Sequence, residues 1–286
     1  MAVRETIESK RGRWRASLQA VQDGLWIDPP YPSHLYHYSS MAGVCGILES
    51  RELWLSDIRS MNDPRDGTYW SEVFSKILDR KSVPDIVRYP FQRGDGIGIG
   101  DAWFSYLICF SPASDLESQW RDYADHGTGC AIEFSFDALL KNADGGKLYA
   151  WTPMEYEADV QRAKAEETID AAIRLFRSER DDLTRDEANI YWTYAAFSFL
   201  LCGTRFKHPE YTQEQEWRIF ISRPKREGAN YRIGARGAEI PYLKLPFAPD
   251  ALSGLIKGAA CACSNDELLD LLRRGGYGEN LRTHEP

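Results

Sequence analysis

Two carboxylates in the segment Glu214–Arg218 are the residues of this chain best placed to do chemistry. They precede an apolar run, Ile219–Ile221, that has the composition of a buried strand. In an extended segment residues i and i+2 face the same side, so Glu214 and Glu216 are expected to project together. Two carboxylates in one cleft can bind a ribose hydroxyl, activate a nucleophile or stabilise a developing cation. A solvated strand edge, with Glu216 paired to Arg218, explains the same residues without a function.

His37 is the candidate residue of the first predicted strand, Leu35–Tyr38. A single histidine between aromatic residues is more often a structural hydrogen-bonding residue than a ligand. Its neighbours Tyr36 and Tyr38 are expected to face the opposite side of the strand. If His37 points into a cleft, the two tyrosines therefore pack elsewhere.

Three further polar residues stand where predicted strands end. Ser56 closes the strand Glu52–Ser56, Asn62 opens an Asn-Asp-Pro turn, and Ser111 follows the apolar strand Trp103–Phe110. Turn and cap chemistry explains serine and asparagine at such places. The same residues could also supply neutral polar groups to a pocket with aromatic walls. Both interpretations remain open.

The composition is that of a globular protein with an unusual aromatic content. The 286 residues are 43% hydrophobic, 27% charged and 13% aromatic, with nine tryptophans. Some of these rings could line a stacking site for a planar ligand. The net charge of −8 argues against a broad nucleic-acid-binding face, which needs a basic surface.

Cysteine usage and hydropathy indicate a cytoplasmic protein without a metal site. The six cysteines form no Cys-x-x-Cys pair and four lie in apolar runs, so neither disulfides nor a structural zinc site are expected. The charged N-terminus does not resemble a signal peptide, and the most apolar stretch, 195–203, is too short to span a bilayer. The glycine-rich segment 94–100 lacks the Lys-Ser/Thr ending of a phosphate-binding loop and is interpreted as a connection.

The order of periodic segments predicts an α+β fold. Short strands alternate with helices of unequal length, which favours a mixed or split small sheet with flanking helices. The helical periodicity of residues 156–180 and 185–201 predicts a helical insertion at about 155–203. We therefore predict an N-terminal helix and linker over residues 1–30, followed by a single α+β domain over 31–286.

Four segments, in this order, resemble a bacterial family called domain of unknown function 2971. They are LYHYSS, LWLSDIRSMNDP, ICFSPASDLESQWRDYADHGTGCAIEF and EQEWRIF. The resemblance covers roughly Leu35 to Gly258, and the helical region between Tyr156 and Leu201 is its loosest part.

A more distant resemblance is to the ADP-ribosyltransferase superfamily. A first strand with histidine, a middle strand that ends in serine and a later Glu-x-Glu strand are similar to that superfamily, whose split sheet binds NAD. The resemblance implies that His37 contacts the dinucleotide and that Ser56 or Ser111 supplies the middle serine. It further implies that Glu216 is the catalytic carboxylate and that Glu214 orients the acceptor.

Tyr38 and Asn62 complete the set of candidate NAD-binding residues. The expected activity is an NAD-consuming transfer of ADP-ribose to a protein or nucleic-acid acceptor, as in a toxin or a phage-defence effector. The physical logic is that cleavage of the nicotinamide–ribose bond builds positive charge on the sugar, which a fixed carboxylate stabilises. The alternative is a non-enzymatic module that binds a nucleotide or a partner protein.

Overall fold

The chain folds into two compact units, each built from several segments. The computed structural model describes residues 5–26, 30–61, 65–66, 68–85, 87–88, 103–143, 150–224, 228–234, 237–278 and 282–284. The helical unit comprises Met1–Ile27, Met61–Phe104 and Glu155–Pro209, and the sheet unit comprises Asp28–Ser60, Ser105–Met154 and Glu210–Pro286. Asn62 and the glycine-rich segment 94–100 lie outside the described residues.

The described residues form α-helices and short strands in irregular alternation. The helices are α1 Ile7–Leu25, α2 Met41–Ser50, α3 Tyr69–Leu78, α4 Glu117–Asp122, α5 Phe136–Ala143, α6 Ala158–Glu179, α7 Arg185–Gly203 and α8 Asn265–Arg274. The strands are β1 His34–Ser39, β2 Glu52–Asp57, β3 Trp103–Phe110, β4 Cys130–Ser135, β5 Ala150–Pro153, β6 Trp217–Pro224, β7 Asn230–Ile233, β8 Glu239–Pro246, β9 Leu252–Lys257 and β10 Arg282–His284. The predicted α+β class is confirmed.

The helical unit packs α1, α3, α6 and α7 around one apolar core. Helix α1 begins at a Thr6 cap that accepts a hydrogen bond from the Ser9 backbone N–H. Its buried residues recur every four positions, which places them on one face of a helix: they are Lys10, Trp14, Leu18 and Gln22. The N-terminal helix thus shares its core with the predicted helical insertion.

Helix α7 starts with a reciprocal cap. The Glu187 backbone N–H donates to Thr184 Oγ1 at 3.3 Å, and the Thr184 backbone N–H donates to Glu187 Oε2 at 2.8 Å. This capping box satisfies two N–H groups that the helix itself leaves unpaired. Lys10 Nζ lies 2.9 Å from Glu187 Oε1 and so ties α1 to the same helix end.

The sheet unit contains two sheets. The four-stranded sheet has the order β1-β4-β9-β10, and the six-stranded sheet has the order β5-β6-β3-β2-β8-β7. Strand β4 is antiparallel to both β1 and β9, while β10 runs parallel to β9. The predicted split sheet with flanking helices is confirmed.

One backbone bridge links β1 to the residue that follows β3. The Tyr36 N–H donates to the Ser111 carbonyl at 2.8 Å, and the Ser111 N–H donates back to the Tyr36 carbonyl at 2.9 Å. The bridge brings the end of the middle strand beside the first strand. Two motifs of the sequence, which lie far apart along the chain, therefore meet here.

Some elements differ from the prediction. Strands β7 and β10 and helix α5 are additional to the elements that the sequence predicts. Among the helices of the described ranges, none combines the length and the apolar character needed to cross a bilayer.

Candidate functional site

Strand β1 presents its side chains to two faces of the four-stranded sheet. Tyr36 and Tyr38 share one face, because alternate residues of a strand point the same way, and His37 points to the other. On the first face Tyr36 pairs with Glu133 of β4, and Tyr38 pairs with Ala131. The two predicted cofactor-binding residues of this strand, His37 and Tyr38, therefore lie on opposite faces.

Tyr36 and Glu133 form a hydrogen-bonded pair on the first face. The Tyr36 hydroxyl donates to Glu133 Oε1 at 2.9 Å, and both residues keep some solvent exposure. Burial, followed by the hydrogen bond and charge of Glu133, raises the pKa of Tyr36 to about 12. The hydroxyl is therefore protonated at neutral pH and fixes the orientation of the carboxylate. The second oxygen of such a carboxylate can accept a hydrogen bond from a hydroxyl group of a ligand.

Tyr38 is buried and its hydroxyl is already bonded twice. It donates to the Ala113 carbonyl at 2.8 Å and accepts the Leu116 N–H at 3.3 Å. Burial raises the pKa of Tyr38 well above its usual range. The ring meets Trp120 edge-on, with 4.8 Å between the ring centroids. Tyr38 therefore orients Trp120 and the loop before α4.

Helix α4 and the residue after it contribute two partly exposed rings, Trp120 and Tyr123. The Trp120 indole N–H donates to Asp115 Oδ1 at 2.8 Å, which fixes the ring. The Tyr123 hydroxyl donates to Glu214 Oε1 at 3.3 Å. Its partner carboxylate lies 91 residues further along the chain. Together with Tyr36, these rings pack on a small buried cluster formed by Tyr38, Ala124, Ala131 and Ile256.

These side chains form one cluster of partly exposed and buried residues, which we call the tyrosine–glutamate face. It comprises Tyr36, Tyr38, Trp120, Tyr123, Glu133 and Glu214. Its aromatic rings suit a planar group or a sugar ring. Its two carboxylates can accept hydrogen bonds from hydroxyl groups. Carboxylates and aromatic faces both attract positive charge, so the face favours a ligand part that is cationic or neutral over a phosphate.

Glu214 and Glu216 do not follow each other along one strand, contrary to the prediction. Glu214 ends the 3₁₀ helix Pro209–Glu214, and β6 begins only at Trp217. Between the carboxylates, Gln215 takes a left-handed conformation with φ of 46°. The expectation that the two side chains project together rested on the period of two of an extended chain. That period does not apply across a 3₁₀ helix and a left-handed residue.

Glu216 is part of a buried ion pair. Arg218 Nε donates to Glu216 Oε1, and Arg218 Nη2 donates to Glu216 Oε2 at 3.2 Å. The two side chains are only 2% and 1% exposed. The guanidinium therefore offsets the charge of this carboxylate within the protein interior. The pairing that was expected at a solvated edge is present, but it is buried.

His37 binds the backbone of β3 on the other face. Its Nδ1 lies 2.9 Å from the Cys109 carbonyl oxygen, and its ring centroid lies 5.6 Å from that of Phe110. A carbonyl only accepts, so Nδ1 carries the proton and neutral Nε2 is an acceptor. Burial lowers the pKa of His37, against a smaller opposite effect of the Cys109 carbonyl. His37 thus holds β1 against the end of β3.

Of the two serines, Ser111 lies beside the tyrosine–glutamate face. It is fully buried, bridges to Tyr36 through the backbone, and accepts the Ala113 N–H on its Oγ at 3.2 Å. Ala113 is also the residue whose carbonyl receives the Tyr38 hydroxyl. Ser111 therefore shapes the loop that carries this face, although its own hydroxyl is buried.

Ser56 lies in a different environment. Its Oγ accepts a hydrogen bond from Arg232 Nη2 at 3.0 Å. On the same strand Trp54 is 39% exposed and stacks on Tyr242 at 4.4 Å between ring centroids. Arg232 also lies over the Trp54 ring, 5.9 Å from its centroid. Ser56 is thus a partner of an arginine in the six-stranded sheet.

The structure brings together some of the predicted site residues and gives others separate partners. Tyr38, Ser111 and Glu214 meet at the tyrosine–glutamate face. His37, Ser56 and Glu216 each bind other residues. Tyr36, Trp120, Tyr123 and Glu133 are not among the site residues predicted from the sequence. The signal for Glu133 is a charged residue inside the apolar strand Cys130–Phe134, whereas the spacing of Leu116, Trp120 and Tyr123 is equally typical of a buried helix stripe.

Within the described ranges, no group of three or more histidine, cysteine, aspartate or glutamate residues is arranged to hold a metal ion.

Comparison with known proteins gives one match. A family model described as "Protein of unknown function (DUF2971)" matches residues 119–219. The match supports the resemblance to this family over about a third of the chain, and it includes Trp120, Tyr123, Glu133 and Glu214. Neither the curated proteins nor the solved structures contain a significant match. The resemblance to ADP-ribosyltransferases stays a prediction.

Proposed function

We propose that the tyrosine–glutamate face binds the nicotinamide riboside part of NAD and that the chain transfers ADP-ribose from NAD to a protein or nucleic-acid acceptor. The observation that carries the proposal is the contact between Tyr123 and Glu214, next to the pair of Tyr38 and Trp120. These contacts place a carboxylate beside aromatic rings. The rings can stack on the charged heteroaromatic ring of nicotinamide, and the carboxylate can bind the attached sugar.

Charge supports the nicotinamide end of NAD over its phosphates. The oxidised nicotinamide ring is a cation, and the faces of tryptophan and tyrosine attract cations. Glu133 and Glu214 add negative charge and offer oxygens to ribose hydroxyls. Phosphate groups would be repelled by the same carboxylates and would have to lie away from them.

Position also favours one of the two glutamates as the catalytic group. Loss of nicotinamide leaves positive charge on the ribose, and a nearby carboxylate stabilises it as it forms. Glu214 contacts Tyr123 of the tyrosine–glutamate face, whereas Glu216 belongs to a buried ion pair with Arg218 outside this face. We therefore assign the stabilisation of the ribosyl cation to Glu214. Glu216, His37 and Ser111 act in this proposal as positioning residues.

The test is nicotinamide release from NAD by the purified chain, with candidate protein and nucleic-acid acceptors. Glu214→Gln keeps the shape of the side chain and should lower turnover by about 10²-fold or more. Glu239→Gln is the matched control, because Glu239 is exposed on β8. Turnover that is absent in the unmodified chain, or equal in Glu214→Gln and the control, would rule out the transferase with this glutamate.

The second candidate is a binding module that holds the nucleotide without cleaving it. The burial of Glu214 favours this module, because a buried carboxylate can take part in binding while it has little access to a reacting ribose. Calorimetric titration separates the candidates: the module binds NAD without nicotinamide release. In both cases Tyr123→Phe should weaken NAD binding, whereas Tyr231→Phe, on the exposed strand β7, should not. Equal binding of NAD and AMP would contradict the nicotinamide assignment.

The proposed biological setting rests on the proposed reaction. An NAD-consuming transferase would act in the cytoplasm, where NAD is available, as a toxin or as a phage-defence effector. The nature of the acceptor would decide between these roles.

A further inference from the structure

Four of the six cysteines gather at one place in the sheet unit. Cys45 lies in α2, Cys130 begins β4, and Cys261 and Cys263 lie between β9 and α8. None of them forms a disulfide. The tyrosine–glutamate face includes none of them.

A tight turn brings Cys261 back to Cys130. Cys130 pairs with Lys257 in the β4–β9 ladder, and the Cys261 N–H then donates to the Gly258 carbonyl at 2.9 Å. Gly258 also donates its N–H to the Gly129 carbonyl at 3.1 Å. A Cβ at Gly258 would lie 2.2 Å from the Gly127 carbonyl oxygen, so the turn requires glycine.

The turn after β9 places three of these cysteines side by side. Burial, and then interaction with Cys261, raises the pKa of both the Cys130 and the Cys263 thiol. Cys130 Sγ lies 3.4 Å from Met41 Sδ on its other side. Cys130 is fully buried, Cys261 is 8% exposed, and Cys263 is the most exposed of the three. Cys261 thus lies between a buried thiol and a partly exposed one.

We propose that this cluster is a redox site in which a peroxide oxidises Cys263, and in which thiol exchange then produces a disulfide between Cys130 and Cys261. In the first step the Cys263 thiolate attacks the peroxide, an S–O bond forms, the O–O bond breaks, and water leaves after protonation. The Cys261 thiolate then attacks the sulfenic acid of Cys263, so that an S–S bond replaces the S–O bond and a second water leaves.

In the last step Cys130 attacks the sulfur of Cys261. The S–S bond moves to this pair, and Cys263 leaves as a thiolate that takes up the proton lost by Cys130. Overall, two thiols and one hydrogen peroxide give one disulfide and two waters.

Exposure and geometry set this order. Burial raises the pKa of Cys130 to about 12, so this thiol has neither solvent access nor an appreciable thiolate fraction with which to react first. A disulfide between Cys261 and Cys263 closes a ring across two peptide units, which span up to about 7 Å when extended. Disulfides need Cα atoms about 4.4–6.8 Å apart, which restricts the backbone of so small a ring. A disulfide with Cys130 instead joins β4 to the turn after β9 and places no such restriction on residues 261–263.

The rate should be low. Burial and then the neighbouring Cys261 raise the pKa of Cys263, so few of these thiols are ionised at neutral pH. The experiment therefore uses hydrogen peroxide in excess over the full-length reduced protein. Free thiols are then alkylated, and the protein is digested with trypsin without reduction.

Trypsin separates the reacting cysteines. Cleavage after Arg121 and Lys141 releases Cys130 in one peptide, and cleavage after Lys257 and Arg273 releases Cys261 with Cys263 in another. The expected product is a cross-link between peptides 122–141 and 258–273 that reduction reverses. Cys130→Ser should stop the reaction at an internal disulfide in peptide 258–273, which is lighter by two hydrogens.

Cys263→Ser should lose the cross-link over the time in which the unmodified protein forms it, whereas Cys109→Ser, outside the cluster, should not. The unmodified protein alone tests the proposal, even if a variant fails to fold. Uncrosslinked peptides with singly oxidised cysteines, a cross-link through Cys45 instead, or an unchanged rate in Cys263→Ser would each overturn it. So would a metal ion that native mass spectrometry finds on the purified protein and that Cys261→Ser removes.

Discussion

The Glu216 carboxylate contributes to the stability of the fold through its buried pair with Arg218. Removing one member of such a pair leaves an uncompensated buried charge. Glu216→Gln should therefore lower the free energy of unfolding by about 3 kcal/mol. Urea denaturation followed by tryptophan fluorescence measures the change, and the same experiment on the exposed Glu239→Gln should give a shift within about 0.5 kcal/mol. Equal stabilities of the two variants would show that the ion pair does not hold this part of the fold.

The burial of His37 should make stability depend on pH. Burial lowers its pKa in the folded state from the usual 6.5, so the folded protein favours the neutral ring. The associated stability is fully present above pH 6.5 and is lost as the pH falls from there through the lower folded-state pKa. Urea midpoints between about pH 8 and about pH 5 measure it. His37→Gln should remove part of the slope, and parallel curves for both proteins would contradict the expectation.

At the scale of elements, the end of α7 contains a glycine that leaves room for the Trp70 side chain. A Cβ at Gly203 would lie 2.6 Å from Trp70 Cε3, within the core of the helical unit. Gly203→Ala should therefore cost about 1–3 kcal/mol through overpacking. Gly12→Ala is the matched control, because Gly12 is exposed in α1 with no atom within 4 Å of the added methyl group.

The control should have the opposite sign. Alanine at a free helical position stabilises by roughly 0.5–1 kcal/mol relative to glycine. Thermal unfolding of both variants tests the pair. If both alanines stabilise the protein, α7 and Trp70 are not as closely packed as the structure has them.

The elements were predictable where one local pattern decides them. The helical periodicity of residues 156–180 and 185–201 predicts two helices, and the structure has α6 and α7 there. The prediction that Glu214 and Glu216 project together was wrong because it extended the strand pattern of β6 backwards through Gln215. A left-handed residue that is not glycine has no clear signature in a single sequence.

The site was less predictable than the elements, because its contacts join distant segments. Tyr123 and Glu214 are 91 residues apart, and Tyr36 and Glu133 are 97 residues apart. Register in the β1–β4 ladder decides the second pair, and register depends on the packing of the whole sheet. Sequence alone identified the polar residues at strand ends, but not which of them meet.

At the scale of the whole molecule, the two units alternate along the chain while their cores remain distinct. The helical core uses residues only from the helical unit, and every residue of the tyrosine–glutamate face belongs to the sheet unit. A ligand bound at this face should therefore affect four separated stretches of sequence. They are 34–39, 117–123, 130–135 and 209–214.

Hydrogen exchange followed by mass spectrometry tests this distribution. Addition of NAD should slow exchange in these four stretches, because bound ligand restrains the segments that contact it. Exchange in α6 and α7 should stay at the rate of the free protein. Tyr123→Phe should lose the protection of 117–123 and 209–214 while its exchange without NAD matches that of the unmodified chain. Protection centred on α6 or α7 would move the binding site to the helical unit, and protection of β2 and β8 would move it to the stacked pair of Trp54 and Tyr242.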